Sequence, residues 1–410
     1  MSEISEIEME GHLIDSLILT KALDKIMDMG GEFEIKKFNV GQRKDEPSHV
    51  QLVVMGDDAS HLNRILVELN ALGARTVETE DVRLETAPND MVVPRGFYSS
   101  TNHPTFVRHQ GNWIEVEGAR MDCLIVVDGG TARTVPINHI KKGDQVVIGT
   151  SGVKVIPPER PREKSFFGFM NNEVSSERPS AEIVRQLARE IVKTKMAGGK
   201  IVAICGPALV HTGASDTLAW MIREGYIHAL LTGNAVAVHD IERQLFGTSL
   251  GMDLQGNVTS AGHRNHIYAI SEIMASGSIE NAISEGKIKA GVMYECITGG
   301  VPFVLAGSIR DDGPLPEVIT DTVKAKDAMV KVIRGADMAI MMATMLHSVA
   351  SGNLLPSYVK TICIDINPST VTKLMDRGTA QAIGLVTDVG TFLPQLAEEI
   401  RRMEEANRNA

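Results

Sequence analysis

Aromatic residues are scarce in this sequence: only 4% of its 410 positions are Phe, Trp or Tyr. That leaves little for stacking on nucleic-acid bases, and a formal net charge of −11 removes the basic face that phosphate-backbone binding needs. Cysteine is rare too. The four thiols (Cys123, Cys205, Cys296 and Cys363) stand far apart, with no CxxC pair and no histidine at ligand spacing, so no metal site is expected. No apolar run approaches a membrane span. The acidic start MSEISEIEMEGH lacks the basic-then-apolar layout of a signal peptide. These absences predict a cytoplasmic protein with neither nucleic acid nor membrane as partner. Also missing is the GxGxxG fingerprint of the usual dinucleotide fold. The nearest stretch, CGPALVHTGAS, holds Gly206 and Gly213 at the wrong spacing.

What is present falls into three parts, as the chain length leads one to expect. Residues 1–90 read as a small α+β (ferredoxin-like) domain. Two helical patterns, the first in 13–29 and stopped by Gly30 and Gly31, accompany the alternating strand EFEIKKFNVG and the strand SHVQLVVMG. Such units bind amino acids, mediate dimerisation or brace a larger domain. Residues 91–160 read as a β-rich subdomain or small barrel of short runs between turn signals, closed by the stiff PPERP connector. Residues 161–410 read as α/β. Ser180 is the expected cap of a helix over SAEIVRQLAREIVKTKMAGG. Continuous apolar runs then recur with long gaps between them, the mark of strands covered on both faces and hence of a mostly parallel sheet.

Ligands of such sheets bind at the carboxyl ends of the strands. In TICIDINPSTVTKLMDRGTAQAIGLVTDVG, residues 361–390, two apolar runs end on Asp365 and on Asp388 with Val389, with a helix between them capped by Ser369 or Thr370. Either carboxylate suits ribose hydroxyls. LLTGNAV is read as a nest in which Gly233, Asn234 and Ala235 offer N–H groups to a phosphate or carbonyl, since Gly and Asn tolerate the positive φ that a nest requires. The loop ATMLHS, with Thr344, Met345, Leu346 and His347, is placed to wrap a pyrophosphate or adenosine. YECITGGVPFVLAGSIRDDGPLPEV supplies a charged wall: Arg310 for a substrate carboxylate, Asp312 for a ribose or a reacting amine, and Glu295 and Cys296 facing the same chamber. The polar run from Ser99 to His103 suits contacts to an amino acid, with Asn102 in it and His103 as a proton shuttle near neutral pH. AGHRNHIY adds two histidines, His263 and His266, and Arg264 before a helix, whose N-terminus suits a phosphate or carboxylate.

FYSSTNHPTFVRHQGNWIEVE, GPALVHTG, LLTGNAVAVHDIE, AGSIRDDGPLPEV and CIDINPSTVTKLMDRGTAQAIGLVTDVGTFL together resemble the archaeal-type ornithine cyclodeaminase family over nearly the whole length. The resemblance implies an N-terminal region like that of lysine-ketoglutarate reductase/saccharopine dehydrogenase bifunctional enzymes. It also implies a Rossmann-like, deoxyhypusine-synthase-like NAD-binding domain. The activity implied is conversion of ornithine to proline and ammonia, with NAD reduced and reoxidised in one cycle, in a homo-oligomer. A carboxylate clamp, a base and a closed chamber are required. Arg310 or Arg264 is the candidate clamp, and Asp312, Glu295 or His103 the candidate base. The alternatives are an NAD-dependent amino-acid dehydrogenase, a lysine-linked transferase and a non-catalytic NAD or amino-acid sensor.

Overall fold

The computed structural model describes all residues except 1–2, 15, 44–45, 78–79, 158–180, 253–261, 376–381 and 409–410. Residues 158–161 of the connector and the expected cap Ser180 lie outside the described residues. Two compact units form: Met1–Gly168 with Asn353–Tyr358, and Phe169–Gly352 with Val359–Ala410.

The first unit opens with β1 (Glu3–Gly11), a helix over Ile18–Asp28, β2 (Glu32–Asn39), β3 (Ser48–Gly56), a helix over Ala59–Ala71 and β4 (Arg75–Thr76). The strand order β2-β3-β1-β4 is antiparallel at every described pairing and gives the ferredoxin-like arrangement. Alternation sets the register: Val50, Leu52 and Val54 of β3 point into one core with Ile7, Met9, Ile26, Ile65 and Leu69. β1 itself is a half-buried alternating strand in which Glu residues separate Ile4, Ile7 and Met9.

A second sheet follows: β5 (Arg83–Thr86), β6 (Thr105–His109), β7 (Asn112–Glu117), β8 (Leu124–Asp128), β9 (Thr131–Val135), β10 (Gln145–Ile148) and β11 (Val153–Val155). Their order is β11-β6-β7-β9-β8-β10-β5, and Val82, just before β5, donates its N–H to the Arg108 carbonyl of β6 at 2.7 Å, which brings the two ends of the sheet together around one core. The expected boundary at residue 90 falls within this sheet. β5 lies before it yet pairs residue for residue with β10, because the alternating run RLET needs a partner strand.

The second unit carries seven parallel strands: β12 (Lys200–Cys205), β13 (Ala229–Gly233), β14 (Phe303–Ala306), β15 (Val318–Ile319), β16 (Ala336–Met342), β17 (Lys360–Asp365) and β18 (Ala382–Val386). Their order is β15-β14-β13-β12-β16-β17-β18. The chain thus runs outward from β12 in one direction as far as β15, then returns to β16 on the other side of β12. The adjacent β12 and β16 form the topological switch point, where the connections leaving the two strands diverge and open a crevice at their carboxyl ends. Ile201, Val202, Ala203, Ile204 and Cys205 are all buried, as a strand covered on both faces requires. The helix between β17 and β18 spans Pro368–Met375, and its cap is not Ser369 or Thr370. Asn367 fills that role, its Oδ1 accepting from Ser369 N at 3.0 Å, because Pro368 takes the first helical position, where a missing N–H does no harm.

Candidate active site

A cavity of about 440 Å³ opens at the switch point. Its lining comes from residues that follow β12, β13, β14 and β16, together with the helices Asn234–Phe246 and Asn265–Ser276. Gly206 makes the crevice possible. Its N–H donates to the Met342 carbonyl at 2.9 Å, and a Cβ there would lie 1.9 Å from the Ala343 carbonyl oxygen. Ala343 itself has φ 51, a left-handed conformation that an alanine adopts at a cost of roughly 1–2 kcal/mol.

The end of β13 differs from the expected nest. Gly233 has φ −98 and ψ 170, and Asn234 is already the first residue of a 13-residue helix. No positive φ occurs there. Asn234, Ala235 and Val236 therefore bring the opening N–H groups of a helix to the cavity, and the Gly233 N-cap has no side chain to satisfy them. The Asn234 side chain points elsewhere: Nδ2 donates to the Gly313 carbonyl at 3.0 Å, and Oδ1 accepts from Leu315 N at 3.1 Å. This amide fastens the loop that carries Arg310, Asp311 and Asp312 into the cavity lining. Asp311 Oδ2 closes the same loop by accepting from Ser308 N at 2.8 Å. Arg310 has no ion partner among the described residues. Its guanidinium is exposed.

Four histidines line the space: His211, His239, His266 and His347. His239 Nδ1 lies 2.8 Å from Glu242 Oε2, one helical turn on. Glu242 is wholly buried and also accepts from Thr248 Oγ1 at 2.8 Å, Gly251 N at 3.0 Å and Leu250 N at 3.1 Å. Burial works to raise its pKa, but the bonds from His239, Gly251 and Thr248 together hold the carboxyl below the ordinary glutamate value, so it is a carboxylate. His211 packs edge-on against His239, centroids 4.8 Å apart, with Nδ1 2.7 Å from Ser249 Oγ. Burial lowers the His211 pKa to about 4, His239 adding to the effect and Glu242 opposing it. His266 Nε2 lies 3.3 Å from Asp312 Oδ2. The His347 ring lies against Gly233, where a Cβ would come within 3.0 Å of it, and burial lowers its pKa against the pull of Asp311. Neither the His239–Glu242 pair nor His211 was singled out from the sequence as a site residue, whereas His266 is one of the two histidines expected beside Arg264. The signal was there in VHTG and VHDIE, each following a strand or opening a helix.

Of the residues expected here, Asn234, Ala235, Arg310, Asp312, Thr344, Leu346 and His347 line the cavity. Met345 starts the helix Met345–Gly352 beside it without lining it. Glu295 and Cys296 are corrected. The helix Val292–Thr298 leads into β14, so both lie toward the amino ends of the strands. Glu295 Oε1 accepts from Arg223 at 3.0 Å, and Cys296 is buried with its thiol pKa pushed up by burial, then by Asp240 and Glu295. Arg264 is exposed at the start of Asn265–Ser276 and does not line the cavity. Asp365 and Asp388 do sit at the carboxyl ends of β17 and β18, but as turn and cap residues. Asp365 Oδ1 accepts from Asn367 N at 2.8 Å, and Asp388 Oδ2 accepts from Thr391 N at 2.8 Å. The buried Val389 side chain has no face to offer a ligand.

Asn102 and His103 belong to the first unit. Asn102 is 3% exposed with Nδ2 unpartnered, and its carbonyl accepts from Ser357 N at 2.9 Å; Ser357 Oγ is likewise buried and unpartnered. Burial lowers the His103 pKa to about 4. It is therefore neutral at pH 7 and does not titrate near neutrality as expected, because no charged neighbour offsets its desolvation.

A parallel sheet with a histidine-bearing cavity at its switch point defines a dinucleotide-type α/β protein with a small-molecule site. Comparison with known proteins narrows this. Residues 185–396 match the family described as Arginine dihydrolase ArgZ-like, C-terminal, Rossmann fold. Residues 4–103 match the LOR/SDH bifunctional enzyme conserved region, and residues 104–184 the ArgZ-like C-terminal first region. A protein of Archaeoglobus fulgidus named ornithine cyclodeaminase is 58% identical over 400 residues, covering 97% of this chain and 98% of its own. The apo structure of ArgZ, an arginine dihydrolase from the ornithine-ammonia cycle in cyanobacteria, is 40% identical with a TM-score of 0.87. The match covers 98% of this chain and 59% of ArgZ. A ternary complex of AgrE with ornithine and NAD+ is 42% identical, with a TM-score of 0.54 and coverage of 98% and 59%. The chain belongs to the ornithine cyclodeaminase family of these archaeal proteins.

Proposed function

We propose that this chain converts L-ornithine to L-proline and ammonia with bound NAD. The observation that carries the reading is the switch-point cavity, which combines an unpaired Arg310, a helix N-terminus and a carboxylate-backed histidine in a chain 58% identical to a named ornithine cyclodeaminase. The residues present fit a dinucleotide. Gly206 leaves the cleft clear, the N–H groups of Asn234, Ala235 and Val236 suit a phosphate, and Leu346 and Ile366 expose apolar surface on the rim after β16 and β17. Asp365 and Asp388 each keep one carboxylate oxygen for a ribose. When bound, NAD+ supplies a reversible hydride acceptor, so the cycle yields no net oxidation.

The chain's own groups bind and orient. The Arg310 guanidinium takes the substrate carboxylate, a charge-assisted bond whose planar fork fixes orientation. Asp312, paired to His266, holds one side of the chamber. His211 stays neutral at pH 7 and adds no positive charge against a substrate ammonium. Ring closure is intramolecular, so holding the substrate folded gains from proximity, and excluding water keeps the imine from hydrolysing.

A cytoplasmic, homo-oligomeric enzyme of proline formation completes the reading. Exposed Phe246, Ile267, Tyr268 and Met274 in the second unit support subunit contact, and four buried cysteines suit a reducing compartment. The test is incubation of the protein with ornithine and NAD+. Proline and ammonia without net NADH are expected. Accumulating NADH would make it a dehydrogenase, and binding without turnover a sensor.

A further inference from the structure

We infer that His239, held by the buried Glu242 carboxylate, is the proton carrier of the cyclisation, exchanging protons with the substrate nitrogens through Nε2. The inference rests on the ornithine reading and deepens it.

Geometry selects His239 among the four cavity histidines. Its Nδ1 is fixed against Glu242 at 2.8 Å, and the donors around that carboxylate are otherwise Thr248 and two backbone N–H groups. Since an ionised carboxylate only accepts, His239 Nδ1 carries the hydrogen, and Nε2 keeps a lone pair. Nε2 has no protein partner among the described residues, and the side chain lines the cavity. The other three lack this combination. His211 is bonded to a serine hydroxyl, with its pKa lowered to about 4. His347 lies at 3.5 Å from a threonine hydroxyl. His266 presents Nε2 to Asp312, and its Nδ1 is buried without a partner. Glu242 is a positioning residue. It fixes the tautomer and balances the charge when His239 is protonated, and Thr248 in turn is held by Asn265 Nδ2 at 2.9 Å.

The proton balance is as follows. The attacking side-chain nitrogen enters as an ammonium with three protons and ends in the cyclic iminium with one. Its lone pair forms the new bond to the α-carbon, and the departing nitrogen leaves with the pair of the old C–N bond. His239 Nε2 carries one of the two released protons to the departing amino group and the other to the freed ammonia, which leaves as ammonium. No outside oxidant or acid is needed.

The experiment combines histidine-selective nitrogen NMR with kinetics of His239→Gln and Glu242→Gln. In wild-type enzyme loaded with NADH, which cannot accept hydride, His239 is expected as the Nδ1–H tautomer and becomes doubly protonated when ornithine is added. His239→Gln should lower kcat by about 10²–10⁴-fold, with NAD affinity changed less than threefold. Glu242→Gln should lose the tautomer preference. An Nε2–H tautomer in the wild type, or a folded, NAD-binding His239→Gln with kcat within threefold, overturns the inference. Wild-type protein that makes no proline overturns the ornithine reading instead, and the tautomer measurement still judges the dyad.

Discussion

Asn234 and Leu315, 81 residues apart, are joined by a bond of 3.1 Å from the Leu315 N–H to the Asn234 Oδ1, while Nδ2 holds the Gly313 carbonyl at 3.0 Å. One buried amide thus fixes where Arg310 and Asp312 stand relative to the helix N-terminus beside them. Asn234→Ala leaves a buried donor and acceptor unpaired, a loss of about 1–3 kcal/mol. The expected outcome is a lower denaturation midpoint together with a raised KM for ornithine. A raised KM without loss of stability would mean that Asn234 touches substrate directly.

Gly206→Ala places a methyl 1.9 Å from the Ala343 carbonyl oxygen. Backbone cannot yield as a flexible side chain does, so a destabilisation of about 1–3 kcal/mol is expected. Cofactor affinity should fall with it, because β12 and β16 would separate at the switch point. Calorimetric titration with NAD+ measures this; unchanged affinity would place the cofactor elsewhere.

Arg310→Met removes the unpaired guanidinium from the cavity. A charge-assisted bond worth about 1.5–3 kcal/mol predicts a KM for ornithine raised roughly 10- to 150-fold, with NAD affinity unchanged. An unaltered KM would transfer the clamp to another group.

Arg223→Ala breaks the pair with Glu295 at the amino ends of the strands. Arg223 is more than half exposed, and such pairs contribute about 0–1 kcal/mol. The kcat is expected to stay within twofold, as is that of Glu295→Gln. A collapse of turnover in Glu295→Gln would return that carboxylate to the chemistry.

Stability should depend on pH through His103 and His211, whose pKa values fall to about 4 on folding through burial. Between about 6.5 and 4 the unfolded chain binds protons that the folded chain refuses, so the stability present above pH 6.5 is lost as pH falls. Asp240, raised to about 6 by burial against its bonds from Met293 and Val292, works in the opposite sense. Its contribution is present below the ordinary aspartate value and is lost as pH rises through 6. Thermal unfolding across this range is expected to show a net loss toward acid, which His211→Gln flattens. An unchanged profile in that variant would show that His211 titrates normally.

Much of the sheet was legible because buried parallel strands leave a simple trace. KIVAIC, ALLTG, ADMAIMM, KTICID and AIGLV are largely apolar runs, and all five are strands. The strand EISEIEMEG was not read as one, since its glutamates hid the alternation of Ile7 and Met9. The nest at Asn234 was misread because Gly and Asn suit positive φ but do not compel it.

The chain alone determined which segments become strands and where their carboxyl ends fall, since periodicity and burial are local properties of a run of residues. It also marked Arg310, Asp312 and the 344–347 loop, which follow such strands directly. Only the tertiary structure decided that Glu295 faces the far edge and that Asn234 is a fastening. It alone brought Glu242, Thr248 and Gly251 around one carboxylate to aim His239. Those outcomes depend on strand order and on bonds between distant segments, and no local pattern encodes either.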